Sequence, residues 1–149
     1  MIHYTLAQES DLEAIIQLLK VNNLPHSDLR ESQVDFIVAT DMDRIIGCIG
    51  VEKYLHEGLL RSFAVEPGLQ NKGIGRQLYK QLLAYAANNK ITRLHLLTNT
   101  AKDYFSKVGF DLANRQDAPE HISKSKEFAE LCPVSSTYMR LDAILEYAG

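Results

Sequence analysis

The sequence predicts a mixed α/β fold in which a mostly antiparallel sheet carries helices on both faces. Three apolar runs of strand length, residues 36–40, 44–51 and 59–65, follow one another at short intervals, the first two at hairpin spacing. An amphipathic run over residues 73–90 then separates the third strand from another at residues 94–98. A helix between two strands is typical of a right-handed crossover, so we expect these two strands to be parallel neighbours.

Local patterns also predict the elements near the N-terminus. Residues 2–6 alternate between apolar and polar and predict an edge strand. Ser10 and Glu13 have the spacing of a capping box, and the apolar residues after Ser10 share one face of a helix that should end near residues 22–23. A short helical turn near residues 28–31 and a solvated loop are the two alternatives for the connection that follows.

The C-terminal third is predicted to alternate between short helices and strands. Gly109 should stop a helix over residues 101–107, because glycine readily takes the left-handed conformation that ends helices. The elements expected next are a strand at residues 110–113, a helix over 119–130 and a last strand at 137–141. The chain has no repeat, low-complexity segment or linker, so residues 1–149 should form a single domain.

Composition and charge exclude several classes of function. The 149 residues are 46% hydrophobic and 23% charged, as in ordinary globular proteins, and the formal net charge is -3. An acidic chain lacks the basic face that nucleic acid requires, and we find neither a secretory leader pattern nor an apolar run of membrane length. Cys48 and Cys132 form no cluster, so we expect neither a disulfide framework nor a metal site. These features predict a soluble cytoplasmic protein.

The stretch from Gln70 to Gly75 predicts an anion site. It follows a strand and opens a helix, and backbone N–H groups in a first helical turn have no intrahelical acceptor. Gly73 lets a ligand approach the main chain, and Lys72 adds a cation. The alternative is an ordinary strand-to-helix turn with glycines for steric reasons. The Walker and dinucleotide-binding patterns are not met, since Arg76 and the residues after it break both.

Three motifs, in this order, resemble the signature of the GNAT superfamily of acyl-CoA-dependent N-acetyltransferases. They are V-x-P at residues 65–67, Q-x-x-G-x-G at 70–75 and aromatic-x-K-x-G-F at 105–110. The resemblance covers nearly the whole chain and implies a sheet whose central parallel strands splay apart. Residues 60–65 and 127–133 further resemble the small acetyltransferases found with arsenic-resistance genes, which does not by itself imply an arsenical substrate.

The resemblance implies where acetyl-CoA binds. The pantetheine arm would fill the gap between the splayed strands, where main-chain groups of Phe63, Ala64 and Val65 contact the pantetheine and the thioester. Asn99 and Phe105 match further positions beside the cofactor, whereas Phe63 is equally well interpreted as a core aromatic. The pyrophosphate would lie on the turn formed by Gln70, Asn71, Lys72, Gly73, Ile74 and Gly75.

The sequence departs from the family where the catalytic acid and base are expected. Many members carry a tyrosine four residues before the glycine of G-F, and here that position is Phe105, with Tyr104 beside it. Neighbouring helical residues point about 100° apart, so either Tyr104 or Ser106 protonates the leaving thiolate, or the thiolate leaves unassisted. The usual glutamate base is replaced by Leu59. Glu57, two residues earlier on the same face of the strand, is the nearest substitute, unless it is a surface carboxylate.

Three residues are candidates for the acceptor side. Arg61 is either an inward-facing guanidinium that clamps a carboxylate or an arginine on the strand surface. By comparison with acetyltransferases, residues 119–133 face the acceptor, and His121 and Glu127 in that segment would shape its pocket. A nucleophilic Cys132 would need an acidified thiol and a nearby base. The sequence shows neither, so a buried structural cysteine is favoured.

The leading hypothesis is therefore an acetyl-CoA-dependent N-acetyltransferase without a metal. It would transfer the acetyl group directly to the primary amine of a small molecule, such as an amino acid or an analogue of one. A non-catalytic acyl-CoA sensor is one alternative, because the usual tyrosine and glutamate are missing. A protein N-acetyltransferase is another, although the sequence has no peptide-docking signature. The sequence does not fix the oligomeric state, and a homodimer is compatible with it.

Overall fold

A seven-stranded sheet organises the computed structural model, which describes residues 1–132, 135–142 and 144. The strands are β1 (Ile2–Leu6), β2 (Asp35–Asp41), β3 (Arg44–Tyr54), β4 (Glu57–Val65), β5 (Arg93–Thr98), β6 (Asp111–Leu112) and β7 (Thr137–Leu141). Their order in the sheet is β1-β2-β3-β4-β5-β7-β6. β4 and β5 are parallel, and the other neighbouring strands are antiparallel.

Helices connect these strands on both faces of the sheet, which confirms the predicted fold class. The α-helices of the described residues are α1 (Leu12–Val21), α2 (Ile74–Asn88), α3 (Lys102–Lys107) and α4 (Glu120–Ser123). Two 3-10 turns, Glu9–Asp11 and Arg115–Asp117, and a π-helical turn, Glu127–Leu131, complete the helical structure. None of the helices in the described part of the chain is long and apolar enough to cross a membrane.

Two tight turns set the register of the central strands. Met42 and Asp43 have φ of 52° and 66°, as both central residues of a type I′ turn require, and they join β2 to β3. Leu55, with φ of 58°, and His56 form the next turn. β4 therefore begins at Glu57, two residues before the predicted strand, and this carboxylate belongs to the sheet.

The start of α1 differs from its prediction. Ser10 lies in a 3-10 turn rather than at the cap. The Asp11 carboxylate instead accepts a hydrogen bond from the Gln8 N–H at 2.8 Å. The cap therefore forms two residues earlier than the spacing of Ser10 and Glu13 predicted. At its other end, α1 stops at Val21, close to the predicted limit.

The predicted helix over residues 119–130 is divided in two. At the break, the Ser125 hydroxyl donates to a carbonyl of α4 at 2.7 Å and accepts from the Phe128 N–H at 3.4 Å. Such side-chain bonds compete with helical backbone bonds. The chain then forms the π-helical turn, in which the Cys132 N–H donates to the Glu127 carbonyl five residues back at 3.0 Å.

Apolar side chains cover the two faces of the sheet in separate clusters. α2 packs on one face, mainly through Leu78, Leu82, Leu83 and Ala86 against residues such as Ile49, Leu60 and Leu94. On the other face, α1 packs on Val38, Cys48 and Ala64, while Ile122 and Phe128 pack on Leu59 and Tyr138. This second face is therefore divided into two apolar clusters.

β4 and β5 are paired over a short distance only. Their parallel register joins residues 57–59 to residues 93–95, and beyond Leu59 the two strands diverge. Farther along β4, Ser62 has φ of 56° where the register against β3 shifts. A bulge of this kind bends a strand, which here widens the gap between the halves of the sheet.

Candidate active site

A cavity of about 970 Å³ occupies the gap between β4 and β5. Its walls come from the second half of β4, the turn before α2, the end of β5 and α3. Asn22 and Pro25, from the segment after α1, line one side, and Glu127 of the π-helical turn lines another. The cavity therefore connects the start of α2 with residues on the opposite face of the sheet.

The turn before α2 lies at one end of this cavity and has the backbone conformation of an anion-binding loop. Gly68, Asn71 and Gly73 all have positive φ, of 93°, 64° and 87°. Left-handed residues among right-handed ones can direct successive N–H groups toward a single point, which makes an anion-binding concavity. A Cβ at Gly73 would meet no atom of the described residues within 4 Å, so the space before the turn is open.

The six residues predicted to hold a pyrophosphate do not contribute equally. Gln70, Asn71, Gly73 and Gly75 line the cavity. A Cβ added at Gly75 would lie 3.6 Å from the Phe63 ring, an ordinary van der Waals contact, so packing alone does not require a glycine there. The side chain of Ile74 is buried in the core, and that of Lys72 is exposed outside the cavity lining, so Ile74 can serve only through its backbone.

An aromatic wall separates the turn from the end of β5. The Phe63 ring contacts both Tyr104 and Phe105, with centroid distances of 6.2 Å to each. All three residues line the cavity. Burial raises the pKa of Tyr104, so its hydroxyl stays protonated at neutral pH. Phe105 is largely buried and joins the core on the α2 face.

Asn99 lies just after β5 but outside the cavity lining. Its Oδ1 accepts a hydrogen bond from the Ser136 hydroxyl at 2.7 Å. The neighbouring Thr98 and Thr100 do line the cavity. The side chain predicted to contact pantetheine is thus held by the protein in this structure, and its neighbours face the gap.

Arg61 lies at the centre of a set of carboxylates that we call the buried ionic cluster, formed by Arg61, Asp28, Glu52 and Glu127. The guanidinium donates from Nη1 and Nη2 to the Asp28 carboxylate at 2.6 and 2.7 Å, and from Nη1 to Glu52 at 2.8 Å. Its Nε lies 3.0 Å from Glu127 Oε2. Burial disfavours its charge, but these carboxylates outweigh burial and raise the pKa of Arg61.

The predicted carboxylate clamp at Arg61 has competitors within the protein. The guanidinium faces inward and is 2% exposed, which excludes the strand-surface alternative. It already forms ion pairs with three carboxylates of the protein itself, so a substrate carboxylate would have to displace one of them.

Glu127 differs from the other carboxylates of the cluster in its pKa and in its hydrogen bonding. It lines the cavity although it is only 6% exposed. Burial raises its pKa to about 7, an effect that Arg61 opposes and that Glu52 and Asp28 strengthen. Its Oε2 makes no hydrogen bond with the described residues, despite its proximity to Arg61.

Glu57, the predicted base, lies at the paired end of β4 and outside the cavity. Its carboxylate accepts hydrogen bonds from Arg93 at 2.8 and 3.0 Å and also bonds His95, whose other ring nitrogen lies 2.6 Å from the Tyr138 hydroxyl. Burial alone would raise the pKa of Glu57, but the bonds to Arg93 and His95 lower it. This arrangement is that of a structural ion pair.

Two other predicted residues also lie away from the cavity lining. His121 is exposed on α4 and stacks on Tyr54, with ring centroids 6.1 Å apart. Cys132 Sγ lies 3.6 Å from Glu127 Oε1, and burial raises its pKa to about 12, which keeps the thiol protonated. Pro133, which follows it, lies outside the described residues. Among the residues described, no three His, Cys, Asp or Glu side chains are placed to hold a metal ion.

The splayed sheet and its cavity define an acetyltransferase architecture, and the sequence comparison is consistent with it. The family described as acetyltransferase (GNAT) domain matches residues 32–112, more than half of the chain. The chain therefore belongs to the GNAT acetyltransferase family.

Three similar proteins give this assignment its context. An uncharacterized N-acetyltransferase of Chlorobaculum tepidum is 29% identical over 89 residues, 59% of this chain and 57% of the relative. N-acetylglutamate synthase from Neisseria gonorrhoeae, complexed with coenzyme A and N-acetyl-glutamate, has a TM-score of 0.78 at 20% identity, covering 95% of this chain and 35% of its own. The ribosomal-protein-S18-alanine N-acetyltransferase from Escherichia coli has a TM-score of 0.74 at 18% identity, covering 95% and 93%. The match thus spans just over half of the curated relative, and the two structures share the fold.

The sequence analysis missed two members of the buried ionic cluster. Glu52 carried a usable signal, because strand alternation places it on the same face as Cys48, and Arg61 lies opposite Gly50 between them. Opposite charges on one buried face of a hairpin are expected to pair, so the sequence could have predicted the ion pair between Glu52 and Arg61. Asp28 carried no such signal, since it lies in the irregular segment after α1.

Proposed function

We propose that this chain is an acetyl-CoA-dependent N-acetyltransferase that transfers the acetyl group directly to the primary amine of a small molecule. One observation carries the proposal: a single cavity in the gap between β4 and β5 extends from the glycine turn to the buried ionic cluster. We further propose that residues 1–149 form one catalytic domain that works in the cytoplasm, as a monomer or a homodimer.

The cavity suits a long phosphorylated thioester. In the described part of the chain, main-chain groups of β4 beyond Leu59 have no partner strand on the β5 side. An extended arm can therefore bind between the strands at Phe63, Ala64 and Val65. The open space before Gly73, at the N-terminus of the 15-residue α2, suits the phosphates. Acetyl-CoA supplies an acetyl group already activated as a thioester.

Tyr104 is our candidate for the catalytic acid. It lines the cavity beside Phe105, which holds the usual tyrosine position but has no hydroxyl. Because the pKa of Tyr104 is raised, its hydroxyl carries a proton that it can donate toward the sulfur that leaves. This role supports an enzyme over a sensor that has lost its chemistry.

The acceptor end of the cavity favours a small molecule over a protein. Arg61 and Glu127 are 2% and 6% exposed, so an acceptor amine that reaches them must enter a buried space. The printed names of the structural neighbours include both an amino-acid and a protein acetyltransferase. An amino acid therefore stays one candidate acceptor. Membership of the small acetyltransferases found with arsenic-resistance genes stays a prediction.

Release of the CoA thiol from acetyl-CoA, measured against a panel of acceptors, tests the proposal. The panel holds amino acids, the amines formed by decarboxylating them, and short peptides. We expect thiol release and an acetylated product, identified by mass spectrometry, with at least one small amine. Tight acetyl-CoA binding by calorimetry without any transfer would identify a sensor, and transfer confined to peptides would identify a protein acetyltransferase.

A further inference from the structure

We infer that the buried ionic cluster binds the ammonium group of a cationic acceptor, and that Glu127 is the catalytic base that receives its proton. The inference rests on the proposed function and adds the place and the charge of the acceptor.

The first argument is an oxygen without a donor. Glu127 Oε2 belongs to a side chain that is 6% exposed and lines the cavity, yet it makes no hydrogen bond with the described residues. The Nε of Arg61 is close, at 3.0 Å, but donates to the Ser62 hydroxyl at 3.0 Å. Buried polar atoms are nearly always hydrogen-bonded, so this oxygen calls for a donor that enters through the cavity.

The second argument is the charge of the cluster. One guanidinium faces three carboxylates, those of Asp28, Glu52 and Glu127, which gives a formal charge of -2 when all are ionised. Buried charge without compensation is strongly unfavourable. An ammonium group at Oε2 would offset part of it, whereas a substrate carboxylate would add to it. The cluster therefore favours amines that carry no carboxylate beside the nitrogen.

The third argument concerns which carboxylate is free to react. Asp28 accepts two bonds from Arg61 and one from the Ser32 hydroxyl at 2.7 Å, and Glu52 accepts from Arg61 and from the Tyr54 hydroxyl. Both are held in place by these donors. Among the described residues, Glu127 has only its ion-pair contact with Arg61 and the contact of its Oε1 with the Cys132 thiol.

The proton affinity of Glu127 suits this role. The groups that face it are Arg61 and Glu52 from the sheet, Asp28 from the segment after α1 and Cys132, while Arg115 lies beyond, donating to the Phe128 carbonyl at 3.0 Å. Burial raises the pKa of Glu127 to about 7, close to the pH at which the protein would work. A base is most effective when its pKa lies near the working pH.

The protons and bonds of the reaction balance as follows. The ammonium group gives one proton to Glu127, which passes it to solvent after the product leaves. The neutral nitrogen then forms the new N–C bond to the acetyl carbon as the C–S bond of the thioester breaks. The second proton that the nitrogen loses goes to the departing thiolate, for which Tyr104 is the adjacent donor in our proposal.

Glu127→Gln and its matched control Glu130→Gln provide the test. The two glutamates share the π-helical turn, but Glu130 is exposed and outside the cavity lining. With the best amine of the panel, we expect Glu127→Gln to lower kcat/KM by about 100-fold or more, the usual contribution of a general base. The wild-type profile should rise with pH to a plateau through a step near pH 7, and the Gln variant should lose that step. Glu130→Gln should behave as the wild type does.

A binding measurement separates this inference from the proposed function. Calorimetry with the same amine and CoA, which cannot react, should show wild-type binding that weakens below pH 7 and weak binding by Glu127→Gln at every pH. Transfer by the wild type together with an unchanged rate and pH step in Glu127→Gln would overturn the inference alone. If the wild type acetylated no amine, the proposed function would fail. Amine binding in the presence of CoA would then still test the inference, and equal binding by the wild type and Glu127→Gln would overturn it as well.

Discussion

The two ends of the cavity are built in different ways. At the turn before α2 we propose a site made of backbone groups, in which Gly73 contributes by having no side chain. At the buried ionic cluster the protein presents charged side chains from four separate segments, gathered around Arg61. The first end is formed by six consecutive residues, so the sequence alone predicts it. The residues of the second end come together only in the folded chain.

This difference predicts how each end responds to change. A backbone site tolerates most nearby side chains and fails only where a side chain enters its space. A cluster of buried charges depends most on Arg61, because removing this guanidinium leaves three buried carboxylates without their cation. The five variants and titrations below test this contrast. The effect on ligand binding comes first, then those on stability and then those on rate, each group from the larger to the smaller.

The largest effect on acetyl-CoA binding is expected at the turn. Gly73→Glu should weaken acetyl-CoA binding by about 100-fold or more, equivalent to roughly 3 kcal/mol, because its carboxylate would enter the phosphate space. Gly68→Glu is the control, since Gly68 also has positive φ and open surroundings but lies outside the cavity lining. Calorimetry on the folded proteins decides, and equal binding by the two variants would contradict the assignment of the turn.

Arg61→Met should cost more stability than any other change in the cluster. Three carboxylates would remain buried without their cation, so we expect a loss of about 3–5 kcal/mol in the free energy of unfolding. Arg93→Met, which removes a more exposed partner of Glu57, should cost about 1 kcal/mol or less. Urea unfolding of both variants measures the difference. A stable Arg61→Met protein would mean that the cluster is not held by its charges.

The stability of the protein should depend on pH through Glu127. Its folded pKa of about 7 lies above the ordinary value of 4.5, so its contribution is fully present below pH 4.5 and is lost as the pH rises through 7. The full change is about 3 kcal/mol. His95, whose pKa is lowered by burial, acts in the opposite direction.

A comparison of wild type with Glu127→Gln isolates the contribution of Glu127 to the pH dependence of stability. The wild type should lose stability relative to the variant between pH 5 and pH 8 in urea unfolding at fixed ionic strength. A constant difference across that range would show that Glu127 titrates normally.

Glu57→Gln should change acetyl transfer by only about twofold, the size expected for a substitution outside the site, and by the same factor at every pH. Glu57 is bound to Arg93 and His95 at the end of β4 that is paired with β5. The rate profile of thiol release, run beside Glu127→Gln, checks this. A loss concentrated at low pH would return Glu57 to the mechanism as the base.

Cys132→Ser should have the smallest effect and leave acetyl transfer largely intact, because a serine hydroxyl can keep the contact with Glu127 Oε1. The raised pKa of the Cys132 thiol, about 12, leaves almost no thiolate at neutral pH. Mass spectrometry of the protein mixed with acetyl-CoA should find no acetyl group on this cysteine. An acetylated Cys132 that transfers its group when amine is added would establish a covalent route instead.

The sequence was informative where structure depends on near neighbours. The strands from Phe36 to Val65, the parallel pair and the turn at residues 70–75 all follow from short patterns of apolar residues and glycines. The capping box was displaced by two residues, to the 3-10 turn before α1, because Gln8 and Asp11 take the places predicted for Ser10 and Glu13. Such errors are small because the competing residues are adjacent.

The acceptor side could not be derived in the same way. Glu57 and Arg61 lie on one face of β4, but the pairing with β5 ends between them, at Leu59. Only the three-dimensional structure shows which of them reaches the gap. Glu127 was placed on the acceptor side, yet its buried environment depends on Asp28, 99 positions earlier in the chain. Periodicity carries no information about a contact of that range.

The short pairing of β4 with β5 has a consequence for the lifetime of the protein. The sheet is two smaller sheets, β1 to β4 and β5 to β7, joined by three residue pairs and by the crossover helix α2. Acetyl-CoA bound in the gap, as we propose, would close this seam and stabilise the folded chain by mass action, by about 2.7 kcal/mol at a free concentration 100 times its Kd. Resistance to proteolysis should therefore follow the supply of the acyl donor, and a cell depleted of it would degrade the protein sooner.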